Sequence, residues 1–408
     1  MKILFLAPQP FFQERGTPIA VRLAVEVLAA RRNDKIDLLT YHEGRDLKIP
    51  NVTFYRIKPP AWVKNISPGI SWKKILCDFY FLISVLKLVN KNRNHPYHLI
   101  HAVEESVFIA WLVKLIHGIP YVYDMDSSLA LQLTEKWFLL RPLRPLFVLL
   151  EKIAVKGSTA VVPVCDALAI IADRHGSEDT QILRDISLLD FGDNDEEATD
   201  LRKELGLAAD ELLAIYVGNL ESYQGIDLLI ESFARALKED IPGHLVIIGG
   251  RPDHIETYRN KCRRLGLSER VHLVGPRPVT ALSGYLTQAD ILLSPRVRGN
   301  NTPMKIYSYL HSGKPILATS LHTHTQVLDD AVASLAKPDT ADFSQALAKL
   351  FKDKELRTTI GQAGRKLAEE KYTFEVFKKR LNELYDRIGK RLEPNGQKES
   401  SLLHREVS

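Results

Sequence analysis

The sequence predicts an α/β protein of two doubly wound domains. Three observations carry that expectation: a length of 408 residues, a composition suited to a folded core, and a rhythm of short apolar runs and helical periodicity that stops midway and begins again. At about 150 residues per domain the length suits two or three domains, and two is the working number. Apolar residues make up 45% of the chain and charged residues 26%, a balance that excludes disorder of the whole.

Runs 2–7, 36–41, 98–103, 119–124 and 159–164 are short, apolar and bounded by turn residues, so they read as buried strands separated by helix-length segments. Parallel strands need crossovers, and crossovers cover the sheet, so this βαβ order predicts a Rossmann-like domain over residues 1–190. The stretch from Asp190 to Glu197 is acidic and contains Gly192 and Asn194, which suits an exposed connection. Strands are expected again at 213–217, 244–249, 270–274, 290–294 and 315–318, with a helix at 226–238, giving a second Rossmann-like domain over 191–372. Phe374, Phe377, Leu381, Leu384 and Ile388 then recur at helical spacing, which predicts a C-terminal helix over 373–392 and a polar tail over 393–408. No repeat at solenoid period is present.

Composition narrows the function. The net charge of +5 gives no support to a nucleic-acid role. Cys77, Cys165 and Cys262 are far apart and form no CxxC pair, so neither a disulfide framework nor a zinc site is suggested, and a cytoplasmic setting fits. The N-terminal apolar run is ended by Pro8, too soon for a signal peptide. The run Ile75 to Val89 contains Asp78 and Lys87 and falls short of the roughly 20 residues that a membrane span needs.

Tyr216-Val217-Gly218-Asn219-Leu220 followed by Gly225-Ile226-Asp227, then Ile247-Ile248-Gly249-Gly250, Val274-Gly275 and Ala289-Asp290-Ile291, come in the order of strand, glycine turn and helix. The run Asn301-Thr302-Pro303-Met304-Lys305-Ile306-Tyr307, continuing to Gly313-Lys314-Pro315, is the most specific piece. Together these motifs resemble the donor domain of the retaining GT-B glycosyltransferases of family 4, over roughly residues 213–390, and the Gly16-Thr17-Pro18 loop extends the likeness into the first half. The resemblance implies a GT-B architecture, two Rossmann-like domains facing across a cleft with the C-terminal helix crossing back to the first. It also implies a nucleotide-sugar donor, a saccharide or lipid-linked acceptor, retention at the anomeric carbon, and no metal or other cofactor.

On this likeness the donor side comprises Gly218, Asn219, Gln224, Gly249, Gly250, Arg251, Gly275, Asn300, Thr302 and Ser308, with Lys305 as the cation that meets the leaving diphosphate. Glycines let backbone N–H groups approach phosphates, and helix N-termini oppose their charge. Arg251, Arg296 and Arg298 stand beside the same loops as further cations. Asn219 and Gln224 stand where the family usually has an arginine and a lysine, and Asn300 and Ser308 stand where it has two glutamates. Those replacements leave a catalytically silent sugar-nucleotide-binding subunit as an alternative reading, and a GT-B sugar-nucleotide epimerase as a third.

On the acceptor side the candidates are Asp126, Gly16, Thr17, His101 and Glu104. Asp126 falls where the family often has a histidine and is the expected partner of the acceptor hydroxyl, which with Lys305 completes the catalytic pair. His101 reads equally as a core histidine and Glu104 as a helix N-terminal charge. Asp124-Met125-Asp126 has the DxD form that GT-A enzymes use to hold a metal, and His322-Thr323-His324 has a ligand-like spacing; no metal is expected at either. Finally, Trp62, Lys64, Trp72, Lys73 and Lys74 precede Phe79 and Phe81, while Arg141, Arg144 and Lys152 interleave with Phe147 and Leu150. This pattern reads either as helices packed on the first sheet with solvated charges, the preferred reading, or as a basic amphipathic face for peripheral membrane contact.

Overall fold

The computed structural model of the protein describes residues 1–11, 16–32, 34–45, 47–66, 71–136, 138–189 and 199–393. The chain divides into two compact units, Met1–Arg184 with Lys378–Ser408, and Asp185–Phe377. The domain boundary expected at residue 190, the acidic stretch to Glu197 and the tail beyond 393 lie outside the described residues.

The first unit runs β1 (Lys2–Ala7), α1 (Gly16–Ala29), β2 (Lys35–Thr40), β3 (Val52–Arg56), α2 (Trp72–Lys91), β4 (Leu99–Val103), α3 (Ser106–His117), β5 (Tyr121–Met125), α4 (Leu129–Lys136), α5 (Arg144–Gly157), β6 (Ala160–Pro163) and α6 (Asp166–Arg174). Its described strands form one parallel sheet in the order β3-β2-β1-β4-β5-β6. The order reverses at β1, where a doubly wound sheet opens a crevice at its carboxyl end. Side chains alternate between the two faces of the sheet. Leu4, Leu6, Ile100, Ala102, Tyr121 and Tyr123 share one core cluster with Phe81 and Val85 of α2, Ala110 of α3 and Ala154 of α5. The rightward-running crossovers therefore all cover the same face.

The second unit runs α7 (Leu201–Leu205), β7 (Leu212–Val217), α8 (Ile226–Ala236), β8 (Gly243–Ile248), α9 (Pro252–Arg264), β9 (Val271–Gly275), α10 (Leu282–Thr287), β10 (Ile291–Ser294), α11 (Lys305–His311), β11 (Ile316–Thr319), α12 (His322–Thr325), β12 (Ser334–Ala336), α13 (Thr340–Lys352) and α14 (Lys354–Lys371). Its sheet is again parallel, in the order β12-β11-β10-β7-β8-β9. Ala214, Tyr216, Leu245 and Ile247 pack with α8, α9 and α13. The alternate residues Leu213, Ile215, Val246 and Ile248 pack with α10 and α11. All ten strands expected from the sequence are present within one or two residues, and β3 and β12 add an edge strand to each sheet. The α/β class with two doubly wound parallel sheets is thus as the sequence predicts.

The last helix, α15 (Phe374–Leu392), belongs from Lys378 onward to the first unit. Arg31, just past α1, anchors it: the guanidinium lies 2.6 Å from Asp386 and 2.9 Å from Asp34, and bonds Asn382 Oδ1 at 3.0 Å. Arg387 and Arg391 meet Asp179 at 3.1 and 2.9 Å. At the centre, Tyr385 donates its hydroxyl to His101 Nδ1 at 2.7 Å. His101 stacks on Phe5 with ring centroids 4.3 Å apart. Both His101 and Tyr385 are wholly buried, so neither can turn to water if the bond is lost.

Replacing Tyr385 by phenylalanine keeps the ring and removes the only donor to a buried imidazole nitrogen. A loss of about 1–3 kcal/mol in unfolding free energy is expected, measured by denaturant titration; an unchanged midpoint would mean that the bond carries no net stability.

Candidate functional site

In the second unit the glycine turns at the carboxyl ends of β7 and β8 lie against each other. A Cβ on Gly249, at φ 114°, would collide with the Gly218 carbonyl, so only backbone fits there. Gly225, at φ 75°, opens α8 with its Cα against the Pro295 carbonyl, where a Cβ would likewise collide. The Gly218 N–H donates to Ile248 O at 3.0 Å and the Gly249 N–H to Gly275 O at 2.8 Å, so these two amides continue the ladder of the sheet. With their own N–H groups so used, the two glycines serve the close approach of the turns through their missing Cβ atoms. The Asn219 and Gly250 amides, one residue further on, take no acceptor among the described residues.

Lys305, the first residue of α11, extends its ammonium over this turn. Lys305 Nζ sits 3.8 Å from the centroid of the Tyr216 ring and donates to Val217 O at 3.1 Å. Among the described residues no carboxylate pairs with it. Burial, and then the neighbouring Arg296, push its pKa well below the ordinary lysine value. The ammonium is therefore poised to gain a partner. Two tyrosines place it. Tyr216 closes the turn by donating to Asn219 O at 2.6 Å, and Tyr309, on α11, accepts the Val217 N–H at 2.9 Å, leaving the Val217 carbonyl to Lys305.

Arg296, whose charge reaches Lys305, likewise has no carboxylate partner among the described residues. It lies 5.2 Å from the Tyr223 ring centroid and donates to Asn301 O at 2.8 Å and Thr323 Oγ1 at 3.2 Å; burial lowers its pKa. Three of the buried polar atoms with no partner among the described residues are Arg296 Nε itself, Thr302 Oγ1 three residues before Lys305, and Gln224 Oε1 beside Gly225, which packs against the Pro295 carbonyl. Unpaired buried polar groups are costly and are ordinarily answered by water or by a ligand.

The other donor-side candidates divide. Asn300 is exposed and its carbonyl accepts Gln326 Nε2 at 2.7 Å, which pins the loop. Arg251 is exposed and faces acids, Asp253 at 3.1 Å and Glu221 at 3.9 Å, so its charge is already answered. Arg298 is exposed. Ser308 turns into the core, where its Oγ accepts the Leu188 N–H at 3.0 Å. His322 is exposed, whereas His324 is buried and pushed down to about 3 by burial. The neutral His324 ring donates from Nδ1 to Thr319 O at 2.9 Å and accepts the Ser294 hydroxyl on Nε2 at 2.8 Å, tying β10 to β11.

In the first unit the candidates lie at the carboxyl ends of the central strands. Glu104 follows β4 at φ 49°, a conformation costly for a side chain with a Cβ. Burial, then the adjacent Glu105, raises its carboxyl. Lys74 of α2 pairs with Glu105, and Asp78, one turn on, accepts the Tyr41 hydroxyl. Burial raises Asp78 to about 7, with Glu105 adding to the shift. His101 donates from Nε2 to Asp124 at 3.0 Å, so the structure gives it the core position of the two that its sequence allowed. The same bond holds one carboxylate of Asp124-Met125-Asp126 inward, and Asp126, just past β5, is half-buried. Gly16 and Thr17 form the first turn of α1, and the loop before them, 12–15, lies outside the described residues. Sequence reasoning missed Tyr216, Tyr309, Tyr41, Lys74 and Asp78. Only the placement of Tyr216 at a strand end before a glycine hinted at any of them.

Residues 197–367 match the family model described as glycosyl transferases group 1. Among curated proteins, the chain is 23% identical over 291 residues to the alpha-D-kanosaminyltransferase of Streptomyces kanamyceticus, covering 70% of this chain and 75% of the relative. It is 29% identical over 185 residues to the D-inositol 3-phosphate glycosyltransferase of Corynebacterium efficiens, covering 44% and 43%. The chain thus spans three quarters of the first relative and under half of the second. Among solved structures, sucrose-phosphate synthase from Thermosynechococcus elongatus superposes with a TM-score of 0.74 at 19% identity, covering 96% of this chain and 99% of that one. Anabaena Alr3699/HepE in complex with UDP gives 0.71 at 16%, covering 95% and 100%. At these identities the structural likeness carries the fold.

Asp78 gives a pH test of the first-unit cluster. Its folded pKa is raised, so its contribution to stability is full below the unfolded value of 3.8 and is lost as pH rises to about 7. Asp78→Asn is expected to remove that part of the decline, so that the variant gains on the native chain between pH 5 and pH 8 in paired thermal melts; parallel curves would show that Asp78 ionises normally.

Proposed function

We propose, from the premise that the chain belongs to the glycosyl transferases group 1 family, that it transfers a sugar from a nucleotide-sugar donor to a hydroxyl of a saccharide or lipid-linked acceptor. The observation that carries this reading is the pair of cations, Lys305 and Arg296, held at the β7 turn with aromatic and backbone partners and no carboxylate among the described residues. Two unanswered positive charges in one place suit a diphosphate, and suit it most when the glycosidic bond breaks and negative charge gathers on the leaving oxygen.

In the proposed reaction the bond from the anomeric carbon to the diphosphate oxygen breaks, and a bond from that carbon to the acceptor oxygen forms. The nucleoside diphosphate leaves with the electron pair, stabilised by Lys305 and by the Asn219 and Gly250 amides. Gln224 Oε1 and Thr302 Oγ1 offer unpaired polar contacts to the same ligand. Asp126 orients the acceptor hydroxyl, whose proton passes to the departing diphosphate oxygen as the new bond forms. Retention at the anomeric carbon is part of the proposal, on the likeness of the 301–315 motif to retaining enzymes.

The first experiment is a panel of UDP-, GDP- and ADP-sugars, scored by thermal shift and by nucleoside diphosphate release with saccharide and lipid-linked acceptors. UDP, the ligand of the Anabaena structure, heads the panel. Stabilisation by one donor with acceptor-dependent release is the expected result. Stabilisation without release would instead favour a sugar-nucleotide-binding subunit, a reading that the inward-turned Ser308 and neutral Asn219 support.

Lys305→Met is expected to lower turnover roughly 100-fold or more. Because burial and Arg296 depress the free lysine's pKa and an anion would raise it, binding takes up a proton, and diphosphate affinity should weaken as pH rises. Calorimetry on the native chain and Lys305→Met checks both points: a pH dependence that survives the substitution would remove Lys305 from the site.

A further inference from the structure

Ten of the eleven large apolar side chains exposed among the described residues belong to the first unit, and only Leu265 to the second. The excess is concentrated. Trp72, Ile75 and Phe79 recur along the outer face of α2, each at least 58% exposed, and Trp62 stacks on Trp72 with centroids 5.7 Å apart. Leu146 and Leu149 stand out from α5 in the same way. Leu115 and Ile116 close α3, and all three helices cover one face of the first sheet. These positions are outside the core, so the packing reading preferred from the sequence does not account for them.

The charge on the same helices has one sign. Lys87 and Lys91 on α2, and Arg144, Lys152 and Lys156 on α5, are exposed. The acids that these two helices carry are turned inward: Asp78 is bound to Tyr41, and Glu151 is 1% exposed and bound to Ser128 and His175. Helix α3 carries no acid. No described helix is long and apolar enough to cross a membrane.

We propose that this helical layer docks on the surface of an anionic phospholipid bilayer, with the Trp62–Trp72 pair, Ile75 and Phe79 entering the headgroup zone and the flanking lysines meeting lipid phosphates. Exposed indoles beside lysines suit that zone, where one end of a side chain is apolar and the other wet. Each lysine near such a surface strengthens binding by about fivefold. A second copy of the chain is disfavoured as occupant, because a two-fold interface would bring equal positive charge together. The docking face is separate from the cations at the β7 turn, and its test does not depend on transfer activity.

The full chain is sedimented with vesicles of phosphatidylcholine alone and of phosphatidylcholine with about one-third phosphatidylglycerol, at low and high salt. Binding to the mixed vesicles that falls with salt is expected. Trp72→Ser with Phe79→Ser should lose most of it, and Lys152→Ser with Lys156→Ser should weaken it by about fivefold per lysine. Melting temperatures report whether either variant misfolds, and the lysine pair tests the proposal without touching an apolar residue. No binding to mixed vesicles, equal binding by both folded variants, or a concentration-dependent dimer that the Trp72/Phe79 substitutions abolish would each overturn it.

Discussion

The second unit depends on one unbalanced charge. Lys305 begins α11, reaches the end of β7, and rests on the face of Tyr216 and on the Val217 carbonyl. A π face attracts the ammonium without neutralising it. A carboxylate in the same place would hold the lysine equally well and cancel the charge that an anionic ligand needs. The local construction serves this arrangement: Gly218 and Gly249 bring the two turns together, Tyr309 takes the Val217 N–H, and His324 ties the ends of β10 and β11 beside Arg296. Burial, and then Arg296, lower the Lys305 pKa, so an arriving anion would favour its charged form.

The first unit has the opposite electrostatics. Its inward-facing charges are mostly answered: Lys74 by Glu105, Arg31 by Asp34 and Asp386, His101 by Asp124 and Tyr385. What stays unsettled is protonation, since burial raises the carboxyls of Asp78 and Glu104 toward neutrality. Glu104 holds a left-handed conformation at the strand-order reversal, where a doubly wound sheet places its ligands. The last helix completes this unit from the far end of the chain, and Tyr385 is its contact with the central strand residue His101.

The sequence by itself determined the repeated βαβ order, the ten central strands, the terminal helix and the glycine turns, because burial of a strand or a helix face writes a local period into the residues. It did not reveal β3, whose half-buried residues lack a continuous apolar run, or β12, which is only three residues long. It singled out Lys305 through a motif, yet could not say what the ammonium rests on. Only the tertiary structure decided that Tyr216 lies beneath Lys305, that His101 is a core residue, that Ser308 turns inward, and that Trp72 and Phe79 face solvent while Phe81 on the same helix is buried. The reason is physical: periodicity reports which face of an element is apolar, whereas partners such as 216 with 305 or 101 with 385 meet only when strand order and helix packing bring distant segments into contact.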